Sequence, residues 1–249
     1  MAIIEIENLS HRFSNGVYGI QGIDLLIRTG DFVVICGQNG SGKTTLLRHL
    51  NALLLPGSGV VRLEGVPVSQ NPAKAREVVG MVFQDADSQI IGETVYDDVA
   101  FGPENLCLDP DEVETRVADA LRTVGLTTLA QQRPHTLSGG EKRRLAIAGV
   151  LAMKPRVLVF DEPFSNLDYP GVRQILKQIV SLHKAGHTII VATHDLEKIV
   201  AHAGRLVLMK DGKVVKDGLP EEVVRTVETY GVREPCDSRR GMEIASWLS

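Results

Sequence analysis

From Gly37 to Thr45 the chain reads Gly-Gln-Asn-Gly-Ser-Gly-Lys-Thr-Thr, after the β-branched run Phe32-Val33-Val34-Ile35 and before Leu46-Leu47-Arg48-His49-Leu50. A G-x-x-x-x-G-K-T loop between a strand and a helix lets successive backbone N–H groups turn inward on a polyphosphate. The helix behind it presents its positive end to the same anion. Gly37, Asn39, Gly40, Ser41, Gly42, Lys43, Thr44 and Thr45 are therefore the candidate cradle. Lys43 would reach the β- and γ-phosphates, and the Thr44 hydroxyl would take one position on Mg²⁺. The chemistry implied is binding of a nucleoside triphosphate, and this loop alone leaves kinase, GTPase, helicase and transport ATPase open.

Four further motifs narrow the choice. Leu137-Ser138-Gly139-Gly140-Glu141 is followed by Val157-Leu158-Val159-Phe160-Asp161-Glu162, then Ser165-Asn166-Leu167-Asp168, and Ala192-Thr193-His194-Asp195 after another apolar run. In this order, over residues 3 to 220, they resemble the ATP-binding-cassette (ABC) ATPases. The resemblance implies an α/β phosphate-loop NTPase fold with a mostly parallel sheet core, an N-terminal antiparallel β portion and a helical subdomain. It also implies ATP and Mg²⁺ as ligands.

On that resemblance each motif takes a role. Asp161, at a strand end, would hold Mg²⁺ through water, opposite Thr44 and the side chain of Gln84. Glu162 is the candidate general base: water is a poor nucleophile toward a γ-phosphate, and a carboxylate within reach both orients it and accepts its proton. His194 by itself reads as a structural histidine after a buried strand; its place in the family makes it a contact of the γ-phosphate and the base. Phe13 stands where the family commonly stacks an aromatic on adenine, with a core Phe or stacking by Tyr18 as alternatives. Ser138, Gly139, Gly140 and Glu141 open a helix, which is a second phosphate site. In the family this signature covers the nucleotide held by the other subunit of a head-to-tail dimer, and Asp168 sits across the dimer seam. Lys142, Arg143 and Arg144 read as a solvated helix face, one of them near phosphate.

Finer likenesses lie in Val82 to Ile90, Thr94 to Leu106 and Ala146 to Met153. These stretches are similar to the ATPase subunits of energy-coupling-factor (ECF) importers, which take up vitamins and transition metals such as cobalt. The implied partners are a second ABC ATPase subunit, an integral-membrane scaffold and a membrane substrate-binding subunit; the implied location is the cytoplasmic face of the cell membrane. A conventional ABC importer or exporter, or a soluble cassette ATPase, are the alternatives. Glu141 replaces the usual Gln, Phe164 a common Thr, and Ser165-Asn166 with Tyr169-Pro170 modify the seam loop. Asp85, Asp87, Glu93, Asp97 and Asp98 crowd the segment after Gln84, where the family receives a scaffold helix; they are expected to be surface acids that attract a basic helix.

The elements that must carry these residues follow from periodicity and composition. Ile3 to Glu7 alternates as an edge strand, Ile23 to Ile27, Phe32 to Cys36 and Gly59 to Leu63 read as strands, and Gly65 as a turn. Pro110, then Val113, Val117, Leu121 and Val124, then Gly125, spell a helix over 110–124 behind a capping Asp109. Strands over 157–160 and 188–192 flank a helix near 171–184, which puts Asp161-Glu162 at the carboxyl end of a parallel sheet. The expected ATPase domain is residues 1–227 with a helical insertion over 86–153; residues 228–249 form a tail matching no assignable element.

A chain of 249 residues with 43% hydrophobic content can bury one such core. No apolar run approaches the ~20 residues that cross a bilayer, and Glu5 and Glu7 stand where a signal peptide needs bases. Three scattered cysteines suit a reducing compartment. A net charge of −4 with 4% aromatics lacks the basic, stacking-rich surface that binds nucleic acid.

Overall fold

A computed structural model describes residues 1–248. Two sheets carry the chain. The first is four-stranded, order β2-β1-β4-β5, from β1 (Ala2–Arg12), β2 (Tyr18–Arg28), β4 (Ser58–Leu63) and β5 (Val66–Pro67), with antiparallel pairings throughout. β1 is thus an interior strand, paired with β2 and β4, and not the edge its alternation suggested. Alternation reports that one face is buried; it carries no information about how many neighbours a strand bonds.

The second sheet is six-stranded, order β10-β9-β3-β8-β7-β6. It comprises β3 (Phe32–Cys36), β6 (Val79–Val82), β7 (Val157–Asp161), β8 (Thr188–Thr193), β9 (Arg205–Lys210) and β10 (Lys213–Gly218). All pairings are parallel except the β9-β10 hairpin. Every residue of β3, β6, β7 and β8 is buried, as near-continuous apolar runs in a sheet covered on both faces demand. The period of two then splits each strand between two cores. Val33, Ile35, Val159 and Ala192 face the antiparallel sheet and Leu46, Leu47 and Leu50 of α1 (Lys43–Leu50). Phe32, Val34, Cys36, Leu158 and Phe160 face the helices of the opposite layer.

Those helices follow α2 (Pro72–Val78) and are α3 (Val95–Asn105), α4 (Pro110–Val124), α5 (Gly139–Ala152) and α6 (Tyr169–Lys184). α4 has the bounds its periodicity predicts: Val113, Val117, Leu121 and Val124 are buried and Gly125 closes it at φ 69°. Asp109 occupies the N-cap position without a side-chain cap bond. α6 starts earlier than expected, at Tyr169, because Asp168 accepts the Gly171 N–H at 3.0 Å and caps it.

The acids of the 85–98 segment are not all on the surface. Asp98 is 8% exposed, and its Oδ1 accepts the N–H groups of Ile91 (2.8 Å) and Gly92 (3.0 Å). Asp97 closes a capping box with Thr94 at the start of α3. Asp97 is exposed, as expected, whereas reading Asp98 as a surface charge is corrected: its carboxylate satisfies backbone donors of the loop before α3. Asp98→Ala leaves two donors without an acceptor and is expected to cost about 1–3 kcal/mol in urea unfolding, with Asp98→Asn costing less. An unchanged midpoint for Asp98→Ala would contradict this role.

The last segment also packs. Ile244, Trp247 and Leu248 lie against the helical-side core, and the Trp247 ring is 5.4 Å from that of Tyr169. Among the described residues no helix is long and apolar enough to cross a membrane.

Candidate active site

The parallel register brings the loops after β3, β8, β7 and β6 to one sheet edge, with Cys36 level with Thr193, and Asp161 with Ala192. Ligands of open α/β sheets bind at this carboxyl edge. The loop after β3 is held close to its neighbours: a Cβ on Gly37 would meet the Met209 carbonyl at 2.4 Å. Gly42, at φ 100°, precedes α1, and a Cβ there would lie 2.6 Å from the Gly19 carbonyl. Only glycine fits both constraints. Lys43 is 5% exposed; its ammonium donates to the carbonyls of Gly37 (2.8 Å) and Gln38 (3.1 Å) and stands 3.7 Å from Glu162 Oε1.

Glu162 is the most constrained acid of the site. Its backbone sits at φ 47°, in the left-handed region that side chains seldom adopt, while its N–H donates to the Ala192 carbonyl at 2.8 Å. Such strain is characteristic of functional positions. Oε1 accepts from the His194 backbone N–H (3.0 Å) and from His194 Nδ1 (2.9 Å), and Oε2 accepts from the Thr193 hydroxyl (3.1 Å). An ionised carboxylate only accepts, so the His194 proton lies on Nδ1.

Beside it, Asp161 is 3% exposed and its Oδ1 is buried without a hydrogen-bond partner among the described residues. Burial holds its carboxyl above the ordinary range, and a hydrogen bond to Thr44 pulls the other way. An orphaned carboxylate oxygen, a Thr hydroxyl and the exposed Gln84 side chain form an oxygen donor set, which fits Mg²⁺.

These groups open on a cavity of about 480 Å³ lined by Phe13, Tyr18, Gly40, Lys43, Thr44, Thr45, Gln84 and Glu162, among others. Phe13 is 41% exposed, which removes the reading of a core Phe. Its ring meets the edge of His11 at 5.0 Å, and His11 Nδ1 is 3.2 Å from Nε2 of the buried His49 on α1. Tyr18 lines the same cavity, with the Arg12 guanidinium over its ring at 5.5 Å.

The signature and Asp168 are placed elsewhere; among the described residues, none of Ser138 to Glu141 lines this cavity. Ser138 is exposed, and a Cβ on Gly139 or Gly140 would meet nothing within 4 Å. Glu141 also has a structural role, which the Ser-x-x-Glu spacing of 138–141 signals. It closes a capping box, its Oε2 accepting from the Ser138 N–H (2.8 Å) and hydroxyl (2.7 Å), and these bonds hold its carboxyl below the usual range.

The basic triplet is not a solvated face. Lys142 pairs with Asp87 at 2.6 Å, Arg143 is 5% exposed, and Arg144 donates to the Val124 carbonyl at 3.3 Å. Sequence also gave no signal for Gln89, whose side chain accepts from Phe83 N–H and donates to the Met81 carbonyl, each at 3.0 Å, and so fixes the strand leading to Gln84.

The thiols differ sharply: Cys36, behind the phosphate loop, is buried and pushed up to about 12 by burial, whereas Cys107 is exposed. Since the thiolate is the reactive form, an Ellman titration at pH 8 is expected to find Cys107 fast and Cys36 silent until denaturant is added. Rapid native modification of Cys36 would contradict its burial.

Comparison with known proteins agrees with this geometry. The family described as ABC transporter matches residues 20–165. A curated relative, the energy-coupling factor transporter ATP-binding protein EcfA of Methanocaldococcus jannaschii, is 44% identical over 232 residues, covering 92% of this chain and 83% of its own. EcfA1 of Clostridium novyi is 42% identical over 232 residues, 90% of this chain and 82% of its own. Among solved structures, cbiO1 of Clostridium perfringens, described as part of an ABC transporter complex, superposes with TM-score 0.81 at 39% identity, covering 92% of this chain and 95% of that one. An ATP-binding cassette solved as a dimer with ADP and Pi gives TM-score 0.78 at 28% identity, covering 87% and 98%. With its phosphate loop and Glu162 lining one cavity and His194 bonded to that glutamate, the chain belongs to the ABC transporter family, as an ATP-hydrolysing transport ATPase similar to the ATP-binding subunits of ECF transporters.

Proposed function

We propose that the chain is the energy-coupling subunit of an ECF-type importer for a vitamin or a transition-metal ion, working as a head-to-tail dimer with ATP at two composite sites. It sits on the cytoplasmic face of the membrane, against a scaffold subunit and a membrane substrate-binding subunit. The observation that carries the dimer is the separation of two phosphate-binding features. The Lys43 cavity lacks the signature, while the helix that Ser138, Gly139 and Gly140 open ends in unobstructed space.

Within one site, the phosphate loop and Lys43 hold the β/γ-phosphates, and Phe13 or Tyr18 stacks on adenine. Thr44, Asp161 and Gln84 hold Mg²⁺, which when bound offsets the negative charge of the phosphate oxygens. Glu162 accepts the proton of the attacking water while His194 fixes its carboxylate. Asp87, Glu93 and Lys142 border a groove with Ile90 and Ile91 that suits a scaffold helix; Asp98 supports its wall from within.

Mixing Ser138→Arg subunits with Lys43→Ala subunits tests the arrangement. Neither variant alone is expected to hydrolyse ATP well, whereas the heterodimer regains one intact site and about half the wild-type turnover if the two sites act independently. A verified heterodimer that stays inactive would count against sites that work one at a time.

A further inference from the structure

We infer that Arg143 is a positioning residue that couples the signature of this chain to the loops of its own nucleotide site. Its guanidinium donates from Nη1 to the Phe83 carbonyl at 2.9 Å and from Nη2 to the Ser165 carbonyl at 3.4 Å. Phe83 immediately precedes Gln84, and Ser165 begins the seam loop that turns through Asn166, at φ 60°, to Asp168. The two carbonyls lie beyond the ends of adjacent strands, since β6 and β7 pair with Val82 opposite Phe160. Arg143 itself is in the first turns of α5, whose N-terminus is the signature. One side chain thus joins all three segments.

Chemistry explains why arginine stands there. Only a guanidinium offers a planar fork long enough to reach two carbonyls at once; an ammonium satisfies one, and an aliphatic side chain none. The group is buried, which pushes its pKa down, and the charge of Asp85 counters this in part. Burying a cation on neutral carbonyls costs stability that a leucine would not. Retaining it there is accounted for by geometry: when a nucleotide on the facing subunit draws in Ser138 to Gly140, α5 moves as a rigid element, and Arg143 carries that displacement to Gln84 and Asp168. Lys142 adds a parallel tie, through Asp87, to the same 84–89 segment.

The inference rests on the composite-site reading, so its test separates the two. In the full chain, Arg143→Leu and Arg143→Lys are compared for affinity toward a fluorescent ATP analogue, kcat, Hill coefficient and thermal midpoint. Arg143→Leu is expected to bind nucleotide within about twofold of wild type and to lose kcat by about 10- to 100-fold, as displaced reacting groups do. Its Hill coefficient should drop toward one from a ceiling of two for two sites. The thermal midpoint should hold or rise, and Arg143→Lys should recover part of kcat. Unchanged kcat and Hill coefficient in Arg143→Leu would overturn the inference. So would a loss of kcat matched by lost thermal stability with no recovery in Arg143→Lys. Glu162→Gln, mixed with saturating ATP and followed by light scattering, reports on the composite site itself. If it dimerises while Arg143→Leu behaves as wild type, only the role of Arg143 falls; if it stays monomeric, the composite site falls and the coupling with it.

Discussion

Glu162→Gln is expected to bind ATP normally and to hydrolyse it about 10²–10⁴-fold more slowly, the usual contribution of a positioned general base. The substitution removes the proton-accepting oxygen and the charge that faces Lys43 at 3.7 Å, and keeps the size of the side chain. A glutamine Oε1 still accepts the His194 backbone N–H that lies 3.0 Å from Glu162 Oε1, and the amide can donate to the Thr193 hydroxyl now 3.1 Å from Oε2. The strained backbone at φ 47° is fixed by the Ala192 carbonyl and not by the side chain's charge. With binding intact and hydrolysis stalled, ATP-bound dimers should accumulate and be visible by size-exclusion chromatography. Steady-state phosphate release near the wild-type rate would remove Glu162 from the role of base.

Lys43→Ala acts one step earlier, on binding. The ammonium is buried against two carbonyls and stands 3.7 Å from Glu162, positioned to exchange neutral acceptors for anionic phosphate oxygens. A hydrogen bond to a charged group contributes about 1.5–3 kcal/mol, which corresponds to roughly 10- to 100-fold in affinity. Isothermal titration with ATP should show that weakening, with far-UV circular dichroism unchanged. An ATP affinity within twofold of wild type would show that the loop, and not its lysine, supplies the binding energy.

The site's chemistry was legible in the sequence wherever function depends on consecutive residues. Gly37 to Thr45 is one turn whose conformation its own glycines permit, and Asp161-Glu162 and His194 each follow an apolar run that could only be a buried strand. Helix α4 was readable to both ends because its stop signal, Gly125, acts through local backbone geometry. Phe13 illustrates the boundary: the family resemblance marks its position, but only the fold leaves it 41% exposed at the cavity.

What the tertiary structure alone decided are matters of which distant groups come to share a space. Nothing local to Ile3–Glu7 says that β4 will pair with β1 on the side away from β2. Nothing in Lys142-Arg143-Arg144 says that Asp87, the carbonyls of Phe83 and Ser165, and that of Val124 will take up the triplet's donors and bury Arg143. The same holds for Asp98, an acid that faces loop backbone donors and not solvent, and for Trp247, whose meeting with Tyr169 nothing in the tail's own residues signals. Backbone conformation is set by neighbours in sequence through sterics, so motifs can be read directly. Burial and pairing are set by neighbours in space, and a polar side chain's role changes with the partners that folding brings to it.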